Sequence, residues 1–458
     1  MPLWFPIATL SAALASPNLV LISLDTTRAD ALSCYGTPPG LPTPTTPITP
    51  HIDALARDGA RFERFFANAP TTLSSHATMF TGLDPHGHAI VRNGFPLEDI
   101  HPTLSMRLFD AGYDTVAIVG SSALESAMGL DRGFRVYDDA VGDLVGMVYQ
   151  DPAARVVERT LERVDGRDND KPLFLFVHFY DAHAPYAAPE PYLDRFTDPA
   201  YDGTWKDGST KYKPLIEQIT AGTADPADVA FVAGRYAGEV SYVDAQVGRL
   251  IDALSARGLL DEALVVVTAD HGENLTDFPF FAYSHGSDVG QGVMHVPLVM
   301  RGYDIPFAER AVIARQASMS GLAVTLERAL GLTASLPGHP FWNLVRPGPV
   351  WDIDGWPERP TRPAFVEATR PRSLEPETGW NNGLFFRGVW SGGWGIYGAP
   401  IYKEPYTFYG DAAPGDAAVL PTLEAQLADW DSRAPPRREA DLAPATTRAL
   451  KALGYLAD

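Results

Sequence analysis

A largely apolar run extends from Asn18 to Leu24 (NLVLISL) and ends at Asp25. A short, largely apolar stretch of this kind predicts a strand covered on both faces, as in a parallel sheet. The same signature returns at Thr115–Val119, at 172–179 (PLFLFVHF), at Leu264–Thr268 and at Val296–Met300. Ala60 to Ala69 reads as an extended run, and Gly133 to Asp139 as a loop or short strand. Helical spacing lies between these runs. Pro50 follows Thr49 at a helix start, Ile52, Leu55 and Ala56 share one face, and Gly59 closes it. A second helix opens near Thr72 or Ser74, where either side chain would suit an N-cap. Tyr236, Val240, Val243, Val247, Leu250 and Leu254 step by three and four residues into a long helix ended by Gly258. Residues 190–228 are rich in Pro, Gly and polar side chains and read as a surface excursion, a possible lid.

Strand–helix alternation predicts an α/β fold with a mostly parallel sheet to about residue 346. Composition then shifts to Pro, Trp and Gly over 347–363. Aromatic stretches at 384–394 and 401–409 suit an antiparallel sheet, and helical patterns follow around Leu423 and over Arg448–Tyr455. The expected division is a domain over 16–346 and a smaller C-terminal α+β subdomain over 347–458. The first fifteen residues are apolar and end in Ala13-Leu14-Ala15, the pattern of a short signal peptide, although no Lys or Arg precedes Arg28. That places the protein in the periplasm or outside the cell, and in the cytoplasm if the segment is no signal. No stretch is long enough to span a bilayer.

The 458 residues carry a formal net charge of −21. That argues against nucleic acid as a partner, which needs a basic footprint. A small anionic substrate stays open, because a bound cation can dominate the field in one cleft. The single cysteine, Cys34, excludes both an intrachain disulfide and a multi-cysteine zinc site. Any metal would sit on oxygen and imidazole.

In open α/β sheets ligands collect beyond the carboxyl ends of strands. Those ends here carry Asp25, then Asp181 and His183, then Asp270 and His271, with His285 fifteen residues after Asp270. Two carboxylates, an imidazole and a hydroxyl make an oxygen-rich site for Ca, Mn, Zn or Mg. One ion is preferred to two, because Asp181-x-His183 is a weak signature for a second site. A hydroxyl at a helix N-terminus faces free N–H groups and the positive end of the helix dipole. Thr72 is therefore a candidate nucleophile for an anionic ester, and His76, one turn later, a candidate partner for it. Arg28 and Asp30 read as an ion pair or a cap, and His86 and His88 as loop structure.

Seven blocks carry a resemblance. SLDTTRADALSCYG, TPHIDALARDGARFERFFANAP, TTLSSHATMFTGLDPHGH, HFYDAHAPY, YAGEVSYVDAQVGRLIDAL, TADHGE and the final ALKALGYL together resemble, in order, the sulfatase family of the alkaline phosphatase superfamily. The resemblance implies an α/β/α sandwich, a divalent metal at the sheet edge and a smaller C-terminal subdomain. It makes Asp25, Thr72, Asp270 and His271 the metal ligands and Thr72 the nucleophile, with His76 in the position of the motif arginine. It also makes Asn93, His183 and His285 contacts to the substrate's oxygens.

The nucleophile block departs from the pattern. Family sulfatases convert a cysteine or serine to formylglycine, and Thr72 cannot become that aldehyde. Ser74 and Ser75 lack the neighbouring Pro and Arg that conversion needs, and Gly120-Ser121-Ser122-Ala123 stands where a G-K-W-H block is usual. A threonine alkoxide can attack phosphorus instead. Attack on sulfur leaves a stable sulfo-threonine, without the geminal hydroxyl that lets formylglycine eject sulfate. The expected function is metal-dependent hydrolysis of a small-molecule, glycan or lipid ester of sulfate, phosphate or phosphonate. The alternatives are phosphoryl transfer to another acceptor and an inactive, anion-binding relative.

Overall fold

The computed structural model describes residues 16–432, apart from 91, 146–147, 168–169, 207–211, 278–281, 304–309, 346–361, 369–385, 392–393, 399–406 and 411–418. The expected signal segment and the helical pattern at Arg448–Tyr455 lie outside the described residues.

Eight strands form the central sheet: β1 (Asn18–Leu24), β2 (Ala60–Phe62), β3 (Asp114–Val119), β4 (Val136–Asp138), β5 (Leu173–Phe179), β6 (Ala263–Ala269), β7 (Leu298–Tyr303) and β8 (Ala311–Ile313). Their order is β8–β2–β7–β6–β1–β5–β3–β4. The middle of the sheet is parallel, as its apolar runs require. β1 lies between β5 and β6, and each of these strands is buried almost throughout. β7 is the exception, antiparallel to both β6 and β2. It also begins two residues later than the apolar run from Val296 suggests.

The longer helices among the described residues are α1 (Pro50–Asp58), α2 (Thr72–Thr81), α3 (Leu104–Asp110), α4 (Ala153–Asp165), α5 (Lys213–Ala221), α6 (Pro226–Ala256), α7 (Leu322–Ala329) and α8 (Leu420–Ser432). α6 packs with α1 and α4, while α2 packs with α3 and α7. Two helix groups thus cover the apolar sheet, and together they bury one continuous core.

Two elements differ from expectation. α6 starts ten residues before Tyr236, where Asp225 caps the Ala227 N–H at 2.9 Å and Pro226 takes the first turn. The segment 190–228 is accordingly only partly an excursion, since it contains α5 and the first residues of α6. The C-terminal sheet also has a strand that the aromatic pattern does not show. It is a meander of β9 (Ala364–Ala368), β10 (Phe386–Ser391), β11 (Trp394–Gly398) and β12 (Thr407–Gly410). Val389, Ile396, Leu423, Leu427 and Trp430 form its own small core under α8.

This sheet docks beside the approach to α2. The Asn68 amide donates to Phe365 O at 2.7 Å, and Trp430 Nε1 donates to Asp84 Oδ2 at 2.7 Å. His86 stacks on Trp430 and lies 2.7 Å from Glu367, while His88 contacts Thr78 Oγ1 at 3.0 Å. Both histidines serve structure. Gly82 ends α2 with φ +72°, and a Cβ there would lie 2.3 Å from Pro337 O, so only glycine fits.

Candidate active site

Parallel register sets the site. Ser23 pairs with Thr268 across β1 and β6, and with His178 across β1 and β5. Two residues further on, Asp25 and Asp270 therefore leave neighbouring strands at the same level. Thr26 follows with φ +48°, a left-handed value that a β-branched residue rarely takes. The turn is held from several sides. The Thr26 N–H donates to Asp270 Oδ1 at 3.3 Å, and Tyr236 Oη on α6 donates to Thr26 O at 2.9 Å. Arg28 N–H in turn reaches Tyr236 Oη at 3.1 Å. The Arg28 guanidinium pairs with Asp30 and Asp277 at 2.6 and 2.5 Å, the structural role its sequence position suggests.

α2 brings in the hydroxyls. Thr71 occupies the N-cap position and Thr72 is the first helical residue. Asn93 takes over the capping, its Oδ1 accepting from the Leu73 N–H at 2.8 Å. Asn93 thus stands beside Thr72, with its carbonyl oxygen used by the helix. Thr72 Oγ1 donates to Asp25 Oδ2 at 3.3 Å. Ser74 and Ser75 point elsewhere: Ser74 Oγ donates to Ile90 O, and Ser75 Oγ to Asp270 O at 2.6 Å. Of the three hydroxyls between residues 72 and 75, only that of Thr72 meets a site carboxylate.

His76 lies behind Thr72, fully buried. One ring nitrogen contacts Thr72 O at 2.7 Å and the other Ser23 Oγ at 2.9 Å. Both are engaged, which leaves neither for a substrate. The catalytic part expected of His76 narrows to support of the helix end that carries Thr72.

The donor atoms for a cation converge here. Asp25, Asp270 and His271 each bring one ligand atom to within 4.8 Å of the others. Among the described residues, Asp25 Oδ1, Asp270 Oδ2 and His271 Nε2 are buried without a hydrogen-bond partner, as is Thr26 Oγ1. His271 Nδ1 lies 2.9 Å from Gly272 O, so its proton sits there and Nε2 presents a bare lone pair. Burial pushes the Asp25 carboxyl up to about 7. Burial, reinforced by Asp25, holds Asp270 well above the carboxylate range, while burial drives His271 well down. Two buried carboxylates that resist ionising together, next to a neutral imidazole, fit a divalent ion of the kind that prefers oxygen and nitrogen donors.

His183 and His285 close the other side. The His285 ring centroid is 4.5 Å from that of His271 and 4.9 Å from that of His183. His183 Nδ1 is tied to Ala184 O at 2.7 Å, and burial drives its ring down to about 3. His285 behaves oppositely. Burial lowers it, but Glu273, whose Oε1 lies 3.2 Å from Nδ1, pulls it up to about 9, with Asp25 and Asp270 helping. His285 is thus a cation at neutral pH, able to meet an anionic oxygen. In metal-free protein, Glu273→Gln should move the His285 ring titration down from about 9, since the largest upward influence is then gone while burial remains. Imidazole NMR reads this directly, and an unmoved titration would refute the assignment.

Asp181 does not join the group. Its carboxylate takes a backbone hydrogen bond from Ala153 at the start of α4, and burial raises it to about 7. Among the described residues, no ligand group includes Asp181, His183 or His285.

Two residues of the site, Glu273 and His178, carry no motif in the sequence. Glu273 follows the Asp-His pair but carries no motif of its own. His178 is the one ionisable residue in LFLFVHF, and an imidazole inside a buried strand is the signal that could have found it.

Comparison with known proteins identifies the family and the fold. The family model described as Sulfatase matches residues 17–331. The arylsulfatase of Clostridium perfringens is 23% identical over 321 residues, covering 58% of this chain and 65% of that protein. The multifunctional alkaline phosphatase superfamily protein PehA of Trinickia caryophylli is 25% identical over 335 residues, covering 57% and 64%. The chain therefore spans just under two thirds of the length of these curated relatives. Among solved structures, the phosphonate monoester hydrolase of Agrobacterium radiobacter superposes with a TM-score of 0.66 over 91% of this chain and 95% of that one, at 22% identity. These structural likenesses establish the fold.

Proposed function

Because the chain belongs to the sulfatase family, we propose that it hydrolyses an anionic ester through Thr72, with phosphate and phosphonate esters preferred to sulfate esters. The observation that carries this reading is the Thr72 hydroxyl, at the start of α2, bonded to Asp25 beside three unpartnered metal-donor atoms. Asp25, Asp270 and His271 would hold a divalent ion, with Thr72 Oγ1 alongside. Such an ion supplies charge neutralisation and lowers the pKa of a hydroxyl.

The residues of the chain do the rest. Asp25 Oδ2 is the acceptor closest to the Thr72 proton. Thr72 Oγ1 attacks phosphorus, the Oγ–P bond forms, and the bond to the leaving oxygen breaks. The dipole at the start of α2 favours the anionic group in front of Thr72. His285, held cationic by Glu273, and His183 face the substrate's oxygens. Water then cleaves the threonyl ester and restores the hydroxyl.

The preference for phosphorus follows from the nucleophile. A threonyl ester of sulfate lacks the geminal hydroxyl that expels sulfate from a hydrated aldehyde, so its second step is slow. A panel of aryl sulfate, phosphate mono- and diester and phosphonate monoester substrates, assayed with added Mn2+, Zn2+, Mg2+ or Ca2+, tests the proposal. Turnover of at least one phosphorus ester, faster than of the matching sulfate, is expected. Turnover of none, or of the sulfate alone, would contradict it.

A further inference from the structure

β5 buries seven consecutive side chains, and six of them are apolar. The seventh, His178, has no exposed surface. An imidazole there needs a reason, because an apolar residue would fill the same space without desolvating polar nitrogens. Burial drives the ring down to about 3, so it is neutral and carries one N–H.

That N–H has one visible target. His178 Nε2 lies 3.2 Å from Asp25 Oδ2, the same oxygen that Thr72 Oγ1 reaches at 3.3 Å. An ionised carboxylate oxygen only accepts, so with Asp25 ionised, as a cation ligand must be, the proton is on Nε2. His178 Nδ1 is buried without a partner, as a bare lone pair would be. The ring is also held in place. His178 is register partner to Ser23, whose hydroxyl contacts His76 at 2.9 Å, and the His76 ring stands edge-on to His178 at 5.0 Å. Asp25 thus has two donors on Oδ2 and none on Oδ1.

We propose that His178 is a positioning residue: it fixes the Asp25 carboxylate so that Oδ1 faces the cation site while Oδ2 stays with Thr72. Its kinetic consequence rests on the Thr72 reading above; its effect on cation binding does not. A competing role exists, since His76, His178 and Asp270 also bring ligand atoms within 4.8 Å of one another and could hold a second ion. The engagement of both His76 nitrogens favours the supporting role.

The test compares the full chain with His178→Phe, which keeps a ring but no donor, and His178→Gln, which restores an N–H. His178→Leu serves as a second donor-free variant if phenylalanine prevents folding. Each protein is stripped with a chelator, checked by circular dichroism and titrated with MnCl2 by calorimetry. The donor-free variant should bind Mn2+ about 10- to 100-fold more weakly at unchanged stoichiometry, with His178→Gln recovering most of the loss. On the best phosphorus ester at limiting Mn2+, kcat should fall with the affinity while KM stays within about threefold. Parent-like Mn2+ affinity in the donor-free variant, a His178→Gln protein as weak as His178→Phe, or a drop from two ions to one would each overturn the proposal. If the parent binds Mn2+ but turns over nothing, the hydrolase reading fails while the calorimetry still decides the role of His178.

Discussion

Thr72→Ala should lower kcat by about 10^3- to 10^6-fold, the range seen when a covalent nucleophile is removed. The fold should survive, because Thr72 holds no cap: Asn93 satisfies the Leu73 N–H, and Thr71 sits at the N-cap position. The cation site should survive as well, since its carboxylates and imidazole come from β1 and the end of β6. Thr72→Ser keeps an Oγ at the same place and should retain much of the activity. Steady-state kinetics with circular dichroism reads all of this. An alanine variant as fast as its parent would mean that Thr72 is not the nucleophile. Ser74 and Ser75 are poor substitutes, because their hydroxyls already donate to backbone carbonyls.

The second large effect is loss of the cation. Chelation should abolish turnover, and adding back a divalent ion should restore it. Asp270→Ala should cost about 10^3-fold or more in kcat and resist restoration at ordinary ion concentrations. The reason lies in the carboxylates. Asp270 Oδ1 accepts from the Thr26 and His271 N–H groups at 3.3 and 2.8 Å, leaving Oδ2 buried and unpartnered, 3.4 Å from His271 Nε2.

A pH effect follows from the same cause. The folded-state pKa of Asp25 is raised from 3.8 to about 7 by burial. For a raised carboxyl, the neutral form favours the fold, and that contribution is lost as pH rises from about 4 through about 7. A bound cation favours the charged form instead. The rise in Tm on adding Mn2+ should therefore be larger at pH 8 than at pH 5. Equal shifts at both pH values, or a larger one at pH 5, would count against these carboxylates as ligands.

Much of the arrangement was legible because it depends on local pattern. The largely apolar run NLVLISL reads as a covered strand, and β1 has those bounds. Pro50 and Gly59 bracket α1, the proline by its fixed φ and the glycine because a Cβ there would meet Met300 O at 2.2 Å. Asp25, Asp270 and His271 stand out because they follow apolar strands directly, and the register of β1 and β6 brings them level. What stayed hidden depends on contacts across the chain. The antiparallel setting of β7 is invisible in its own composition, since a strand buried by two neighbours reads alike in either direction. The start of α6 was missed because the regular apolar steps begin only at Tyr236, although Asp225-Pro226 marked the cap. His76 could be placed next to Thr72 by spacing, but not behind it, because its second partner, Ser23, is 53 residues away. Glu273 acquires meaning only when His285 arrives twelve residues later in sequence and 3.2 Å away in space. The capping bond from the Leu73 N–H to Asn93 Oδ1 joins residues 20 apart and is likewise a fact of tertiary structure.

The most direct test is to catch the covalent intermediate. The protein, loaded with Mn2+ and mixed with an activated phosphonate or phosphate ester, is quenched in acid within the first turnover, digested and mapped by mass spectrometry. The expected result is a mass gain equal to the transferred group on the peptide that contains Thr72, localised to its Oγ1 and absent from Thr72→Ala. An adduct on another residue, or turnover with no adduct at any quench time, would contradict the assignment of Thr72 as the nucleophile.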